Sequence, residues 1–231
     1  MGKGAPLRWL ENRILGRYFH GKGIEIGALW RRFPLPVRAR AWYVDRLDPV
    51  NLDQQYAELK GAIVKPHIIA DASQLPFAVA SLNFIIASHV LEHMPFPLSA
   101  LRHWYEILAP GGALLLRIPN KRYTFDVLRA RTSLQHLLEE EAQPERFDRR
   151  LHFADWVQNV SGRSPGTAEF EGELRDLIQM DYSIHYHVWI DADVQELINF
   201  TRSSWNLRWQ AVVFWGAHFY RKETVALLMR E

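Results

Sequence analysis

The chain has 231 residues, 48% of them hydrophobic, enough for one domain with an elaboration around a sizeable core. Its formal net charge is +2 and its arginines are scattered, so it carries no nucleic-acid footprint. It has no cysteine, which excludes disulfides and thiolate chemistry and fits a reducing, cytoplasmic setting.

No apolar run is long enough to span a bilayer, and the N-terminus lacks the apolar core of a signal peptide. Met1-Gly2 opens a myristoylation pattern, but Pro6 stands where that pattern needs Ser or Thr. Leu7 to Phe19 spaces Leu7, Leu10, Ile14 and Tyr18 as a helix does, with Arg8, Glu11, Asn12, Arg13 and Arg17 on the polar face. It is short for a membrane-surface helix, so we expect it to pack on the domain or cover a cleft. Gly23 to Ile26 reads as the first strand, with Ile24 and Ile26 alternating around Glu25. Gly27 then permits a sharp turn or a close ligand, and Pro34 and Pro36 oppose a regular helix in the loop that follows. Ala41 to Val44 is the second strand and ends at Asp45, twenty positions after Glu25. An acid at this distance is placed to accept hydrogen bonds from a ribose. A dinucleotide site would show G-x-G-x-x-G running into a helix, because the pyrophosphate sits on the helix N-terminus. Here only Gly27 is present, followed by Ala28, Leu29 and Trp30. A ribose ligand without pyrophosphate fits better, and S-adenosylmethionine is the obvious one, with Glu25 and the Gly27 turn at its aminoacid end.

Asn51 to Lys60 reads as a short helix ending at Gly61, and Pro66 to Ala70 as a third strand closing on Asp71. Asp71 is placed to accept the exocyclic amine of adenine and Ala72 to offer its backbone N–H; a plain turn aspartate is the alternative. Leu82 to Ala87 is nearly all apolar, as expected in a parallel sheet covered on both faces. Ser88-His89-Val90-Leu91-Glu92-His93-Met94-Pro95 follows, then a helix over Leu98 to Leu108, a break at Pro110-Gly111-Gly112, and a fifth strand, Ala113 to Ile118. The alternation predicts a doubly wound α/β sheet.

Four stretches carry a family resemblance: I-E-I-G-A, Y-V-D, D-A-S-Q-L-P-F, and H-V-L-E-H followed by L-A-P-G-G-A-L-L-L-R-I-P-N. Over residues 21–120 the chain resembles the class I S-adenosylmethionine-dependent methyltransferases of small-molecule type, with Leu29 and Arg31 where the family often has glycines. The resemblance implies a Rossmann-like, mostly parallel sheet with one antiparallel edge strand. It implies Glu25, Gly27 and Ala28 at the methionine end, Asp45 and Arg46 at the ribose, Asp71 and Ala72 at the adenine, and Ser88 on the cleft floor. His89 and His93 would lie near the transferred methyl. Members with a similarly shortened first motif resemble enzymes associated with polysaccharide modification.

The expected organisation is an N-terminal helix (1–20), a cofactor-binding core (21–120), a helical cap insertion (121–187) and a C-terminal helix with the last two strands (188–231). The cap begins N-K-R-Y-T-F-D, with helices expected over Ser133 to Glu141 and Glu171 to Met180, a break at Pro144, an unassigned passage from Leu151 to Val160, and a loop over Ser161 to Gly166. Its aromatic residues suit a sugar or another hydroxylated acceptor. Asp191 reads as the N-cap of a helix through Phe200, and Leu207 to Trp215 and Thr224 to Met229 as two strands.

The histidines admit other chemistry. His89-x-x-Glu92-His93 matches an inverted zinc-hydrolase motif if it is helical, but a third ligand is missing. His185 and His187 alternate, so both could face one ligand, yet no third partner is fixed and no metal is assigned. Asp45-Arg46 could read an NADP ribose in an oxidoreductase, although the missing glycines oppose it; a catalytically silent binding fold is the non-enzyme reading. The leading expectation is methyl transfer to a hydroxyl, with His93 and His187, then His89, as the base.

Overall fold

The computed structural model describes residues 5–59 and 61–231, with side chains described from Leu7 onward. The Met1-Gly2 pattern and Lys60 lie outside the described residues. Among the described residues seven strands form one sheet: β1 (Gly21–Ile26), β2 (Ala39–Asp45), β3 (Ile68–Ile69), β4 (Leu82–Ser88), β5 (Leu108–Pro119), β6 (Trp209–Trp215) and β7 (Glu223–Arg230). Their order is β3-β2-β1-β4-β5-β7-β6. The first five run parallel, and β7 alone is reversed, between β5 and β6. The reversed strand thus sits one place in from the edge, because β6 and β7 form a hairpin and β7 takes the pairing beside β5. This is the doubly wound sheet that the alternating pattern predicts.

Several boundaries differ from the sequence reading for local reasons. α2 (Pro49–Gln55) starts early because Asp48 caps it, accepting the N–H groups of Val50 and Asn51 with Pro49 in the first turn. β3 is short because only Val44 and Asp45 of β2 reach it. The Pro110-Gly111-Gly112 stretch lies inside β5 as an irregularity, since Leu108 already pairs with Leu82 before regular pairing resumes at Ala113. α7 (Asp191–Ser204) begins inside Asp191, not after it. Ile190 is the capping position and its N–H goes to the Asp193 carboxylate at 2.9 Å, while Asp191 turns to Ala217 N and Thr224 Oγ1.

The sheet buries both faces. Ile24, Ile26, Ile85, Leu114 and Leu116 pack with α3 (Pro97–Ile107) and α7. On the other face Phe84, Ile86, Leu115 and Leu227 meet Leu15 of α1 (Ala5–Leu15), Phe19 and Phe33. No helix connects β1 to β2. Phe33 takes that place, 5.2 Å ring to ring from Phe19.

The insertion after β5 folds as helices α4 (Leu134–Ala142), α5 (Arg149–Asn159) and α6 (Ala168–Gln179). α5 and α6 share a small core of Phe153, Val157, Phe170, Leu174 and Ile184. Among the described residues no helix is long and apolar enough to cross a membrane.

Candidate active site

In a parallel sheet the carboxyl ends of the strands gather the chain's turns on one edge, and the crevice forms where the strand order reverses. Here that point lies between β1 and β4. Ile26 is paired with both Val44 and Ala87, so Gly27, Asp45 and Ser88 emerge side by side. Gly27 sits at φ +60, and a Cβ there would meet Val90 Cγ2 at 3.3 Å. Ala28 is half-buried in the turn that follows, where its carbonyl accepts Arg31 N–H at 2.8 Å. Asp45 is half-buried; burial pushes its carboxyl up, partly offset by the Leu47 N–H it accepts. Asp71 is exposed, and its Oδ1 holds Ser73 N at 2.7 Å and Oγ at 2.6 Å, as a turn aspartate does. Ala72 is buried and its carbonyl takes Trp104 Nε1–H at 2.8 Å.

Two of the expected contact residues face elsewhere. Glu25 is buried on the α1 face of β1, and both its oxygens accept Phe33 N–H, at 2.9 and 3.0 Å. Burial pushes its carboxyl up to about 7 despite that hydrogen bond and the charge of Arg117. Arg46 reaches the cap, with its guanidinium on the Asp181 carboxylate and carbonyl.

The H-V-L-E-H stretch is a three-residue 3-10 turn, Leu91–His93, preceded by His89 at φ 56. The helical zinc-motif geometry is therefore not formed. His89 is well exposed, and its Nε2 lies 2.7 Å from Glu223 Oε2. Glu223 also accepts Arg117 at 2.9 Å and Arg8 at 3.1 Å. Burial raises the Glu223 carboxyl, but His89, Arg117 and Arg8 outweigh it and hold it at about 2. Although almost half of the His89 side chain is exposed, the packing around its ring pulls the imidazole down, and the Glu223 hydrogen bond with the charges of Glu92 and Glu223 raises it above the usual value.

The segment returning from the cap docks on this turn. Tyr186 N–H donates to Glu92 O at 2.8 Å, and His93 Nδ1 donates to Ile184 O at 2.8 Å. Burial, then the neighbouring His185, pulls His93 down to about 3, so it stays neutral. A bend at Tyr186 breaks the expected alternation, so His185 and His187 part company. His185 turns to Asp126 (2.8 Å), which Arg129 also grips at 3.0 Å. His187 is fully buried beneath α4 and α5, near His136, His152 and Glu140. Burial, then His152, pulls it down to about 3. Glu92 is buried with neither oxygen hydrogen-bonded, and burial pushes its carboxyl up. A cavity of about 680 Å³ opens in the cap beside His136, Glu140 and His152, not over the strand ends.

The sequence reading missed Glu223, Arg117 and Asp126. Asp126 stands in the noted N-K-R-Y-T-F-D stretch, and Arg117 is a lone charge in an apolar strand, which is itself a signal. Glu223 has no local signal.

Comparison with known proteins agrees with the fold and its motifs. A family model described as a methyltransferase domain matches residues 12–164. The chain belongs to this family. As the motifs imply, it is a class I, S-adenosylmethionine-dependent methyltransferase. Among solved structures, the methyltransferase is similar to a protein from Rhodobacter sphaeroides provisionally assigned as a Zn-dependent alcohol dehydrogenase. There the identity is 14%, the TM-score 0.59, and coverage 96% of this chain and 90% of that one. It is also similar to the N-methyltransferase NodS from Bradyrhizobium japonicum in complex with S-adenosylhomocysteine, with 14% identity, TM-score 0.50, and 99% and 88% coverage. A third likeness is to the CurJ carbon methyltransferase, at 16% identity and TM-score 0.46; 92% of this chain is covered, but it spans only 49% of that one. These likenesses concern the fold. No curated protein matches the chain.

Proposed function

We propose that the methyltransferase acts at a hydroxyl of a small-molecule or glycan-type acceptor, with His89 as the base. The carrying observation is the His89–Glu223 pair at the carboxyl end of β4, next to the Gly27–Asp45–Ser88 row. The residues present fit S-adenosylmethionine. Gly27 keeps clear the space that a Cβ would narrow against Val90, and Asp45 offers a half-buried carboxylate one strand away. When bound there, the cofactor supplies an electrophilic methyl on a sulfonium.

The chain's own residues do the rest. Asp45 accepts the ribose hydroxyls, and the Asp71–Ala72 turn flanks the adenine. Glu25 works at one remove: it fixes the loop through Phe33 N–H, and so sets the Gly27–Ala28 backbone at the aminoacid end. Arg46, tied to Asp181, closes the cap over the ribose side. The carboxylate of Glu223 only accepts, so Nε2 of His89 carries the proton between them and Nδ1 is the basic nitrogen. His89 Nδ1 takes the hydroxyl proton as the oxygen attacks, and Glu223 stabilises the imidazolium that results. His93, held neutral and hydrogen-bonded to the cap, serves better as a positioning residue than as a base, and His187, fully buried, takes no part. Phe125, half exposed, stacks edge-on to Trp156 at 5.1 Å and offers an aromatic face to a sugar ring.

Isothermal titration with S-adenosylmethionine and S-adenosylhomocysteine, with NADPH as control, tests the cofactor assignment. A screen of hydroxylated and glycan acceptors with His89→Ala and His93→Ala tests the base. Undiminished turnover in His89→Ala, with cofactor affinity intact, refutes the role given to His89.

A further inference from the structure

Away from the strand-end cleft, three histidines and a glutamate converge beside the cap cavity. His136 and Glu140 stand one turn apart on α4, His152 on α5, and His187 on the segment that enters α7. One ring nitrogen from each of the three histidines lies within 4.8 Å of the others. Glu140 Oε1 lies 2.7 Å from His152 Nε2 and 3.1 Å from His136 Nε2, and Oε2 lies 3.8 Å from His187 Nε2.

The hydrogen bonds around this cluster fix which nitrogens are bare. A backbone carbonyl only accepts, so His152 Nδ1–H donates to Tyr186 O (3.1 Å) and His187 Nε2–H donates to Pro95 O (3.2 Å). In the neutral rings that leaves a lone pair on His152 Nε2, facing the carboxylate, and one on His187 Nδ1. A lone pair and a carboxylate oxygen at 2.7 Å repel unless a proton or a metal cation lies between them. Both His187 Nδ1 and Glu140 Oε2 are buried with no hydrogen-bond partner. Buried polar atoms without partners are rare in folded proteins and call for an occupant. An outer hydrogen bond from the far ring nitrogen to a carbonyl, as His152 Nδ1 makes to Tyr186 O, is what orients a histidine for a metal.

We propose that His136, His152, His187 and Glu140 bind one divalent transition metal of the zinc class. Three imidazoles and a carboxylate are a borderline donor set suited to zinc and its neighbours, rather than to calcium or magnesium. Four ligands complete a tetrahedron with bonds of about 2.0–2.2 Å, for which the close Glu140 contacts to His152 and His136 open and the longer separations close around the ion. The ion joins α4, α5 and the His187 segment, and so ties these two helices to the segment that docks on the Glu92 turn through its Tyr186 and His187 N–H groups. The site is separate from the proposed methyl-transfer chemistry and does not depend on it.

The test uses untagged full-length protein stripped with a chelator and dialysed. Zn²⁺ is titrated against a chromophoric competitor, and Co²⁺ is added separately to read coordination from its visible bands. One Zn²⁺ should bind per chain, Co²⁺ should show the intense bands of a tetrahedral site, and Zn²⁺ should raise the melting temperature. His136→Ala removes a half-exposed ligand and Glu140→Gln a charge; each should weaken Zn²⁺ by at least about 10–100-fold, the loss expected from even an outer-partner change. Circular dichroism and the metal-free melting temperature confirm that the variants fold. Failure of the wild type to retain Zn²⁺ overturns the proposal, leaving a proton on the Glu140–His152 pair. Equal binding in folded His136→Ala and Glu140→Gln also overturns it. So does binding lost only on Glu92→Gln, which would move the ion to the group formed by Glu92, His93 and His185.

Discussion

Glu25 offers a direct test of how the missing first helix is replaced. Its side chain is 2% exposed, and burial raises its carboxyl from 4.5 to about 7. The folded chain therefore holds this proton more tightly than the unfolded chain does. Below 4.5 both states are protonated and the full contribution is present; it is lost as pH rises through about 7. The gap corresponds to about 3 kcal/mol, with a slope of about 1.4 kcal/mol per pH unit between the two values. Glu25→Gln keeps a carbonyl oxygen for Phe33 N–H and removes the titration. The buried amide brings an unmet donor that costs about 1–3 kcal/mol, but that cost does not vary with pH. Urea unfolding at a series of pH values from 5 to 8 should then show a wild-type stability that falls relative to the variant. Other titrating groups are common to both proteins and cancel in the difference. Parallel curves for the two proteins refute the reasoning, and would mean that Glu25 titrates alike folded and unfolded.

Gly27→Ala places a Cβ at φ +60 and 3.3 Å from Val90, so it should cost about 1–2 kcal/mol in thermal unfolding and lower S-adenosylhomocysteine affinity in calorimetry. Asp45→Asn should leave stability nearly unchanged and weaken the same ligand by about tenfold or more, since charged acceptors contribute about 1.5–3 kcal/mol. Glu223→Gln removes a group that raises the His89 imidazole, so NMR titration should show His89 losing its proton at lower pH, and turnover should rise earlier on the acid side. Leu174→Ala in the cap core should destabilise the chain by about 2–5 kcal/mol on chemical unfolding, because the side chain is 1% exposed.

The strands were legible because a parallel sheet buried on both faces demands near-continuous apolar runs, and Phe84 to Ala87 and Ala113 to Leu116 are such runs. Gly27, Asp45 and Ser88 were legible for the same reason: each ends a run on the same edge. The histidines were not, because their partners come from far along the chain. Glu223 meets Arg117 across 106 positions, and it arrives through the register of β7 on β5. The parting of His185 and His187 turns on one bend at Tyr186, where strict alternation had put both on one side. His136 and Glu140 did carry a readable signal, a histidine and an acid four apart on an expected helix, but their meaning depends on His152 and His187 arriving beside them.

The placement of the polar groups follows from the sheet itself. With both faces covered, a charged side chain has room only where a strand ends or where an opposite charge comes to meet it. Asp45 and His89 take the first route. Arg117 takes the second: it lies opposite Ser88, the last residue of β4, and would be an uncompensated buried cation without Glu223. β7 must run antiparallel for its first residue, Glu223, to fall at that edge beside Pro119. The reversed strand therefore does more than complete the sheet. It delivers the carboxylate that neutralises Arg117 and, with its other oxygen, holds His89 beside the crevice at the strand ends.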